Sequence, residues 1–346
     1  MCTAERTWGM FRLLLAAAVR YQNLADRLYS ISGHAVDMVK EDHERAARPA
    51  VRANAKWRTI LKSSIDDLVK RRYSCRTYVE RPIEATDRET LSEFLASLGT
   101  GPLGSHTRFS LVAATETDRE SLKGLGTYGF VKGAAGFIVG AVEPGPTDME
   151  DYGYGLEQAV LAATDIGLGT CWLGGTFTKS SFARKIHATR SEVVPAVVAV
   201  GYPAEGSKGG WVRGRAGSDR RLPHEQLFWE ERPGEPLDLS RAAGYSEVLE
   251  AVRWAPSASN KQPWRVVRSG DDWRFYLQRK KGYGKGSALS SLLRLADLQR
   301  VDMGIAMCHF ELVAREHGLT GLWVVERPPP HTVATGLEYT VSWMPA

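Results

Sequence analysis

The chain has 346 residues, a formal charge of +5 at pH 7 and a sequence pI near 9.0. This length is about twice that of a typical domain and favours two domains or one large one. The positive charge suits a small anionic ligand or a nucleic acid, but the basic residues are scattered and no motif of a nucleic-acid reader is present. We therefore expect a small-molecule ligand and no nucleic-acid partner.

The cysteines and the apolar stretches indicate a reduced, cytoplasmic compartment. No run is long enough to span a membrane, and the most apolar stretch, residues 10–19, is interrupted by Arg12, so we expect no membrane partner. A signal peptide is the alternative for this stretch. Four cysteines lie far apart without CxxC pairs or a histidine at zinc spacing, which predicts neither a disulfide scaffold nor a metal site. They are Cys2, Cys75, Cys171 and Cys308.

Residues 1–55 are predicted to form a helical extension of unknown role, because apolar residues recur at rough helical spacing in its first half. Helical spacing resumes between residues 57 and 68, so Arg72, Ser74 and Arg76 follow on a short loop or strand. Two guanidinium groups and a hydroxyl within five residues suit a phosphate dianion, although an ordinary solvated basic face is the alternative. The apolar positions of this helix are Trp57, Ile60, Leu61, Ile65 and Leu68.

The sequence then predicts a mixture of helices and short strands. Thr86 and Glu89 form a capping-box pattern before an apolar helix face that stops at Gly99. A long helix is predicted over residues 151–166, ending at Gly167. Residues 99–106 and 206–221 read as loops, residues 223–236 as a linker, and residues 245–255 as a helix ended by Pro256. The predicted strands are residues 109–114, 134–142, 196–200, 265–267 and 273–277, and residues 170–173 form an apolar run.

A fixed offset of 151 residues relates the long helix to a second segment. Six identities occur without a gap, including the start and the end of the helix. This regularity predicts two copies of one unit, so that a single chain would reproduce a two-fold dimer. The predicted divisions are the extension 1–55, a first half 56–230 and a shorter second half 231–346. The identical pairs are Asp151 and Asp302, Gly153 and Gly304, Ala163 and Ala314, Gly167 and Gly318, Leu168 and Leu319, and Trp172 and Trp323.

The second half contains a proline-bounded loop, residues 256–264, whose hydroxyls and amides suit the edge of a flat heterocycle. Together with the Arg72-x-Ser74-x-Arg76 motif, the glycine-rich stretch 167–175 and the Gly-Tyr-Pro exit at residues 201–203, this loop resembles the FMN-dependent nitroreductase family. The similarity extends from about residue 65 to Trp323. Within that family, the chain resembles the fused type with two nitroreductase-like halves in one chain.

The resemblance implies an α+β chain with the nitroreductase-like three-layer α/β/α fold, in two tandem copies that form an intrachain pseudo-dimer. FMN would lie at the interface of the halves, held by residues of both. The phosphate and the ribityl chain would contact Arg72 and Ser74, the pyrimidine side Arg76, and the phosphate also the late basic pair Arg220 and Arg221. Flavin N5 and O4 would face Leu173, Gly174 and Gly175, and the loop of the opposite half would contribute Pro256, Ser257, Asn260 and Gln262.

The two halves differ from the family pattern in complementary ways. The first half has residues 98–106 where the Asn-x-Gln-Pro loop should lie, and the second half lacks an Arg-x-Ser-x-Arg motif at its start, residues 237–245. Only one of the two pseudo-symmetric pockets would therefore have both the Arg-x-Ser-x-Arg motif and the Asn-x-Gln-Pro loop. We expect one FMN per chain and a monomer that acts as its own dimer.

The implied activity is hydride transfer from NAD(P)H through flavin N5 to a small electron-poor acceptor of the nitroaromatic or quinone type. The flavin carries the chemistry, so no catalytic side chain is expected. No nicotinamide fingerprint is present, because the Gly-Leu-Gly at residue 167 follows a helix and does not open one. The alternatives are other flavin chemistry on the same scaffold, such as that of a dehydrogenase, a dehalogenase or a flavin-consuming enzyme, and a non-enzymatic protein that binds or sequesters flavin.

Overall fold

The computed structural model describes residues 61–113, 131–174, 179–207, 220–242, 244–280, 296–325 and 336–346. The predicted extension 1–55, Cys2 and Gly175 lie outside these ranges. The helices are α1 (Ile65–Arg71), α2 (Ala85–Ser97), α3 (Asp148–Asp165), α4 (Lys179–Lys185), α5 (His224–Leu227), α6 (Ser246–Trp254) and α7 (Leu298–Glu316). The strands are β1 (Thr107–Ala113), β2 (Gly136–Val142), β3 (Gly169–Leu173), β4 (Val197–Gly201), β5 (Phe228–Glu230), β6 (Trp264–Ser269), β7 (Asp272–Gln278), β8 (Gly321–Val324) and β9 (Leu337–Pro345).

The strands form two sheets, which the predicted division of the chain separates except for strand β5. The first sheet has the order β1-β2-β4-β3 and is antiparallel throughout. Its two central strands, β2 and β4, are buried along their whole length, which explains their continuous runs of small and β-branched residues. The second sheet has the order β5-β6-β7-β9-β8. Mixed α and β content of this kind agrees with the predicted fold class.

The stretch predicted as a linker, residues 223–236, contains α5 and β5 instead, so this prediction is wrong. Strand β5 pairs in parallel with β6, with Phe228 opposite Val266. Both Leu227 and Phe228 are buried, and this burial stabilises α5 and β5. The two elements are too short to leave a periodic pattern in the sequence. The chain thus adds a strand from before residue 231 to the sheet of the second half.

The long helices α3 and α7 pack against each other in a reciprocal way. A Cβ atom at Gly153 would meet the carbonyl oxygen of Val301, and a Cβ atom at Gly304 would meet the carbonyl oxygen of Glu150. Both glycines and both carbonyls are related by the offset of 151 residues. Mutual contacts of this type characterise a two-fold interface, and glycine is required at both positions because the backbones touch.

Two further pairs at the same offset make equivalent contacts. Near the start of α3, the Asp151 carboxylate accepts hydrogen bonds from backbone N–H groups of the loop that ends at Ser105, and Asp302 in α7 accepts one from Ala258 in the second-half loop. At the far ends, Asp165 accepts from the backbone at residues 62 and 63, and Glu316 accepts from residues 65 and 66. The ends of α3 and α7 thus each contribute one carboxylate to the start of α1.

Two helix starts differ from prediction. In α1, the Ser64 side chain caps the helix by accepting from the backbone of Asp67, which leaves Leu61 outside the helix, while Trp57 and Ile60 lie outside the described ranges. In α2, the helix begins at Ala85, so the predicted capping-box residue Thr86 is within the first turn and makes no cap. Both helices nevertheless bury the predicted apolar face.

The three cysteines in the described ranges, Cys75, Cys171 and Cys308, are buried and free, as expected for small apolar core residues. Burial raises the pKa of the Cys171 thiol to about 11. Over the same ranges no helix has both the length and the apolarity needed to cross a bilayer. No cluster of three metal-ligating side chains occurs there either.

Candidate functional site

The Arg72 motif leaves α1 in an extended conformation and runs beside β3. Helix α1 ends because Arg72 adopts extended backbone angles. Ser74 then forms a parallel bridge with Thr170, and the N–H of Cys75 donates to the Thr170 carbonyl at 2.8 Å. The predicted loop or strand after the helix is therefore a short extended arm on the edge of the first sheet.

The side chain of Arg72 is only 6% exposed and faces a buried carboxylate. Its Nε atom lies 3.8 Å from Oε1 of Glu157, which is completely buried. A pocket of about 270 Å³ opens beside this arm and is lined by Arg72, its neighbours and the turn between α3 and β3. Several lining residues carry no site signal in the sequence, because Arg71 belongs to the end of a helix and Thr170 to a strand. The lining residues are Arg71, Arg72, Tyr73, Thr164, Gly167, Leu168, Gly169, Thr170 and Pro203.

Glu157 of α3 is joined to α7 through a buried histidine. His309 of α7 contacts Glu157 Oε1 through Nε2 at 2.9 Å and the carbonyl of Ala251 through Nδ1 at 2.9 Å. Because a carbonyl oxygen can only accept, Nδ1 carries a proton, and a second proton lies between Nε2 and the carboxylate. Trp172 donates its indole N–H to the other Glu157 oxygen at 2.8 Å. Nothing in the sequence pattern distinguishes Glu157 and His309 from surface residues of their helices.

The predicted loop of the second half has an unusual backbone. Ser259, Asn260 and Gln262 have φ angles of 48°, 54° and 46°, a left-handed conformation that non-glycine residues rarely adopt. The strained backbone is held by the Asp302 contact and by Ser257, whose hydroxyl accepts from the N–H of Gln262 at 2.9 Å. Strain of this kind persists only where surrounding contacts impose it and is concentrated at functional sites.

The loop and the late basic pair meet directly. The Asn260 side chain accepts from the Arg221 guanidinium and donates to the Arg220 carbonyl at 2.7 Å. Gln262 accepts from the backbone N–H of Leu222 at 2.8 Å. Arg221 also donates to the carbonyl of Trp254 at 3.1 Å. Two predicted site segments about 40 residues apart in sequence are thus brought together. In this structure the Arg221 guanidinium binds the loop itself.

The remaining predicted residues lie on three segments, which are the end of β3, the arm after α1 and the start of the loop. Leu173 is buried, and a Cβ atom at Gly174 would come within 2.6 Å of the Leu298 side chain at the start of α7, so this segment faces the second half. Arg76 donates to the carbonyl of Ser74 at 3.3 Å. Pro256 is partly exposed at the start of the loop.

Burial perturbs both of the equivalent aspartates. It raises the pKa of Asp151 to about 6, partly offset by the backbone N–H groups of Leu103 and Ser105. Burial also raises the pKa of Asp302 well above its ordinary range, opposed by the N–H of Ala258. The loop that ends at Ser105 and the loop that contains Ala258 are thus each anchored by a carboxyl group whose pKa is raised by burial.

Comparison with known proteins places these features in a family. The family model described as "Putative TM nitroreductase" matches residues 64–314, well over half of the chain. A search of the curated proteins returned no match. The crystal structure of a protein from Thermotoga maritima described as a "putative nitroreductase" has 20% sequence identity and a TM-score of 0.51, covering 81% of this chain and 93% of that one. At this identity the likeness shows the fold.

Two other structures match a smaller share of the chain. A nitroreductase with bound FMN from Bacteroides fragilis has 22% identity and a TM-score of 0.33, over 42% of this chain and 91% of its own. A Bacteroides thetaiotaomicron protein described as "Putative NADH dehydrogenase/NAD(P)H nitroreductase" has 21% identity and a TM-score of 0.33, over 40% and 86%. The extent of the family match decides the assignment: the chain belongs to the TM-type nitroreductase family and has the mixed α/β nitroreductase fold.

Proposed function

We propose that this protein is an FMN-dependent oxidoreductase that passes hydride from NAD(P)H to an electron-poor small molecule, such as a nitroaromatic compound or a quinone. The observation that carries the proposal is the contact between the Arg220–Arg221 pair and the strained loop bearing Asn260 and Gln262. It joins residues from both sides of the predicted division, as a cofactor site between two halves requires. Family membership supports the same activity class.

The chemistry of the described side chains fits FMN. The guanidinium of Arg72 beside a pocket of about 270 Å³ would bind the phosphate with Ser74, since charge-assisted hydrogen bonds suit a dianion. The Asn260 side chain is held between the Arg221 guanidinium and the Arg220 carbonyl, where the loop would reach the flavin ring. Arg76 would stabilise negative charge on the pyrimidine side, and the backbone at Leu173 and Gly174 would face the ring. Bound FMN would supply hydride transfer at N5.

The proposed site depends on two copies of one unit within the chain, residues 56–230 and 231–346. Support comes from the reciprocal contacts of Gly153 and Gly304 and from the matching roles of Asp151 and Asp302. Two-fold partners in a dimer would make the same contacts. The protein would therefore act as a monomer containing its own pseudo-dimer interface, with a single FMN.

The proposal is tested by anaerobic spectroscopy of the FMN-loaded protein. NADH or NADPH should bleach the flavin absorbance, and addition of menadione or a nitroaromatic compound should restore it. Steady-state nicotinamide oxidation should depend on the acceptor. Flavin that stays oxidised with both nicotinamides would contradict the reductase activity and favour a protein that stores or sequesters flavin.

A further inference from the structure

A buried arginine follows the strained loop. Strand β6 places Arg265 on the face of the second sheet opposite to Trp264, and the residue is only 4% exposed. Its Nη1 group donates to the backbone carbonyls of Gln262, at 3.0 Å, and Trp264. Its Nε and Nη2 groups make no hydrogen bond to any residue in the described ranges. The guanidinium therefore retains donors for another ligand.

Two lysines add positive charge to this position. Lys261 is next to Gln262, whose carbonyl accepts from Arg265, and Lys280 follows the end of β7, where the N–H of Gln278 donates to the Pro263 carbonyl at 2.8 Å. Desolvation lowers the pKa of Lys280, and the charges of Arg265 and Lys261 lower it further. Desolvation also lowers the pKa of Arg265 to about 10. We call Lys261, Arg265 and Lys280 the cationic cluster.

No carboxylate neutralises the cationic cluster in the part of the chain that the structure describes. The acidic groups at this end of β7, Asp297 and Glu338, both form ion pairs with Arg279. Lys280 directs its ammonium group to the side-chain oxygen of Gln278 at 2.8 Å. A buried guanidinium beside two ammonium groups is costly without a counter-charge, and this cost is relieved by a bound anion.

We propose that the cationic cluster is an oxyanion site that binds a phosphate group. Three cations, one of them an arginine with unused donors in fixed geometry, match the charge and the acceptors of a phosphate. The site is distinct from the pocket beside Arg72, which contacts the first sheet. Because Arg265 donates to the carbonyl of Gln262, a phosphate held here would also fix the loop that bears Asn260. The ligand is either free phosphate or the phosphate monoester of a larger molecule such as a nucleotide.

The test measures phosphate binding by isothermal titration calorimetry on the full chain saturated with FMN, at constant ionic strength maintained with chloride. Inorganic phosphate should bind to the wild type. Lys280→Gln and Lys261→Gln should each lower the affinity by about tenfold, as expected for loss of a charge-assisted contact. Arg274→Gln is the matched control, because it removes one positive charge from the same sheet face outside the cationic cluster.

Parallel titrations with 2′-AMP and adenosine distinguish the sources of the phosphate. Tighter binding of 2′-AMP than of inorganic phosphate, with the same dependence on Lys280, would identify a nucleotide phosphate, and equal affinities would identify free phosphate. Two outcomes would overturn the proposal: no phosphate binding to the wild type, or binding that survives Lys280→Gln and Lys261→Gln but is lost in Arg72→Ala. The phosphate measurement needs no turnover, so its failure is distinguishable from failure of the proposed reductase activity.

Discussion

Arg72 is the residue whose replacement tests the proposed FMN site most directly. Arg72→Ala should weaken FMN binding by roughly tenfold to a hundredfold, since a hydrogen bond to a charged group contributes on the order of 1.5 to 3 kcal/mol. Flavin fluorescence titration would measure the affinity. The control is Arg81→Ala, which removes an exposed arginine paired with Glu84.

Arg72→Ala also removes the guanidinium beside the buried Glu157 carboxylate, so thermal unfolding of the same variant must accompany the titration. Equal flavin affinity in a folded Arg72→Ala protein would exclude Arg72 as a phosphate ligand.

Asp151 makes the folding stability of the chain depend on pH. Its pKa of about 6 in the folded state exceeds the ordinary value of 3.8, so the folded state binds more protons between these values. The contribution of Asp151 to stability is therefore greatest below the unfolded pKa and decreases as the pH rises from about 4 to 6, by up to ~3 kcal/mol.

The free energy of unfolding in urea, measured at pH 4.5 and pH 7 for the wild type and for Asp151→Asn, would check this contribution. Between pH 4.5 and pH 7, the free energy of unfolding should fall further for the wild type than for Asp151→Asn. A constant difference would show that Asp151 titrates normally.

At the scale of elements, the crossing of α3 and α7 depends on close backbone contact. Gly304→Ala should destabilise the fold by ~1–3 kcal/mol, because the added methyl group would force the helices apart. Gly153→Ala should have a similar effect through the reciprocal contact. Gly99→Ala is the control, because a Cβ atom there would meet nothing within 4 Å. Chemical denaturation of the three variants gives the comparison, and a neutral Gly304→Ala would argue against a tight crossing.

Periodicity predicted most of these elements, because long apolar faces and continuous buried strands leave a regular pattern. The face of α6, with Val248, Leu249 and Val252 buried, is an example. The prediction failed for β5, where three residues gain their structure from pairing with a distant strand. It also missed the role of Glu157 and His309, which depends on two helices meeting about 150 residues apart. The local sequence pattern does not encode such long-range contacts.

At the scale of the whole molecule, the proposed asymmetry of the two halves predicts the cofactor content. Flavin released by denaturation should amount to one FMN per chain, because the arm with Arg72 and the loop with Asn260 each occur once. Absorbance of the released flavin against protein concentration gives the ratio. Two flavins per chain would show that the second pseudo-symmetric pocket also binds FMN.

The reciprocal contact of α3 and α7 has a consequence for how the protein responds to dilution. In a dimer of separate subunits, the same helix crossing would have to overcome the loss of translational and rotational freedom, and it would dissociate at low concentration. Here the two helices share one covalent chain, so their effective concentration is set by the connecting residues alone. A cofactor site between the halves would therefore stay assembled equally well at nanomolar and at micromolar protein.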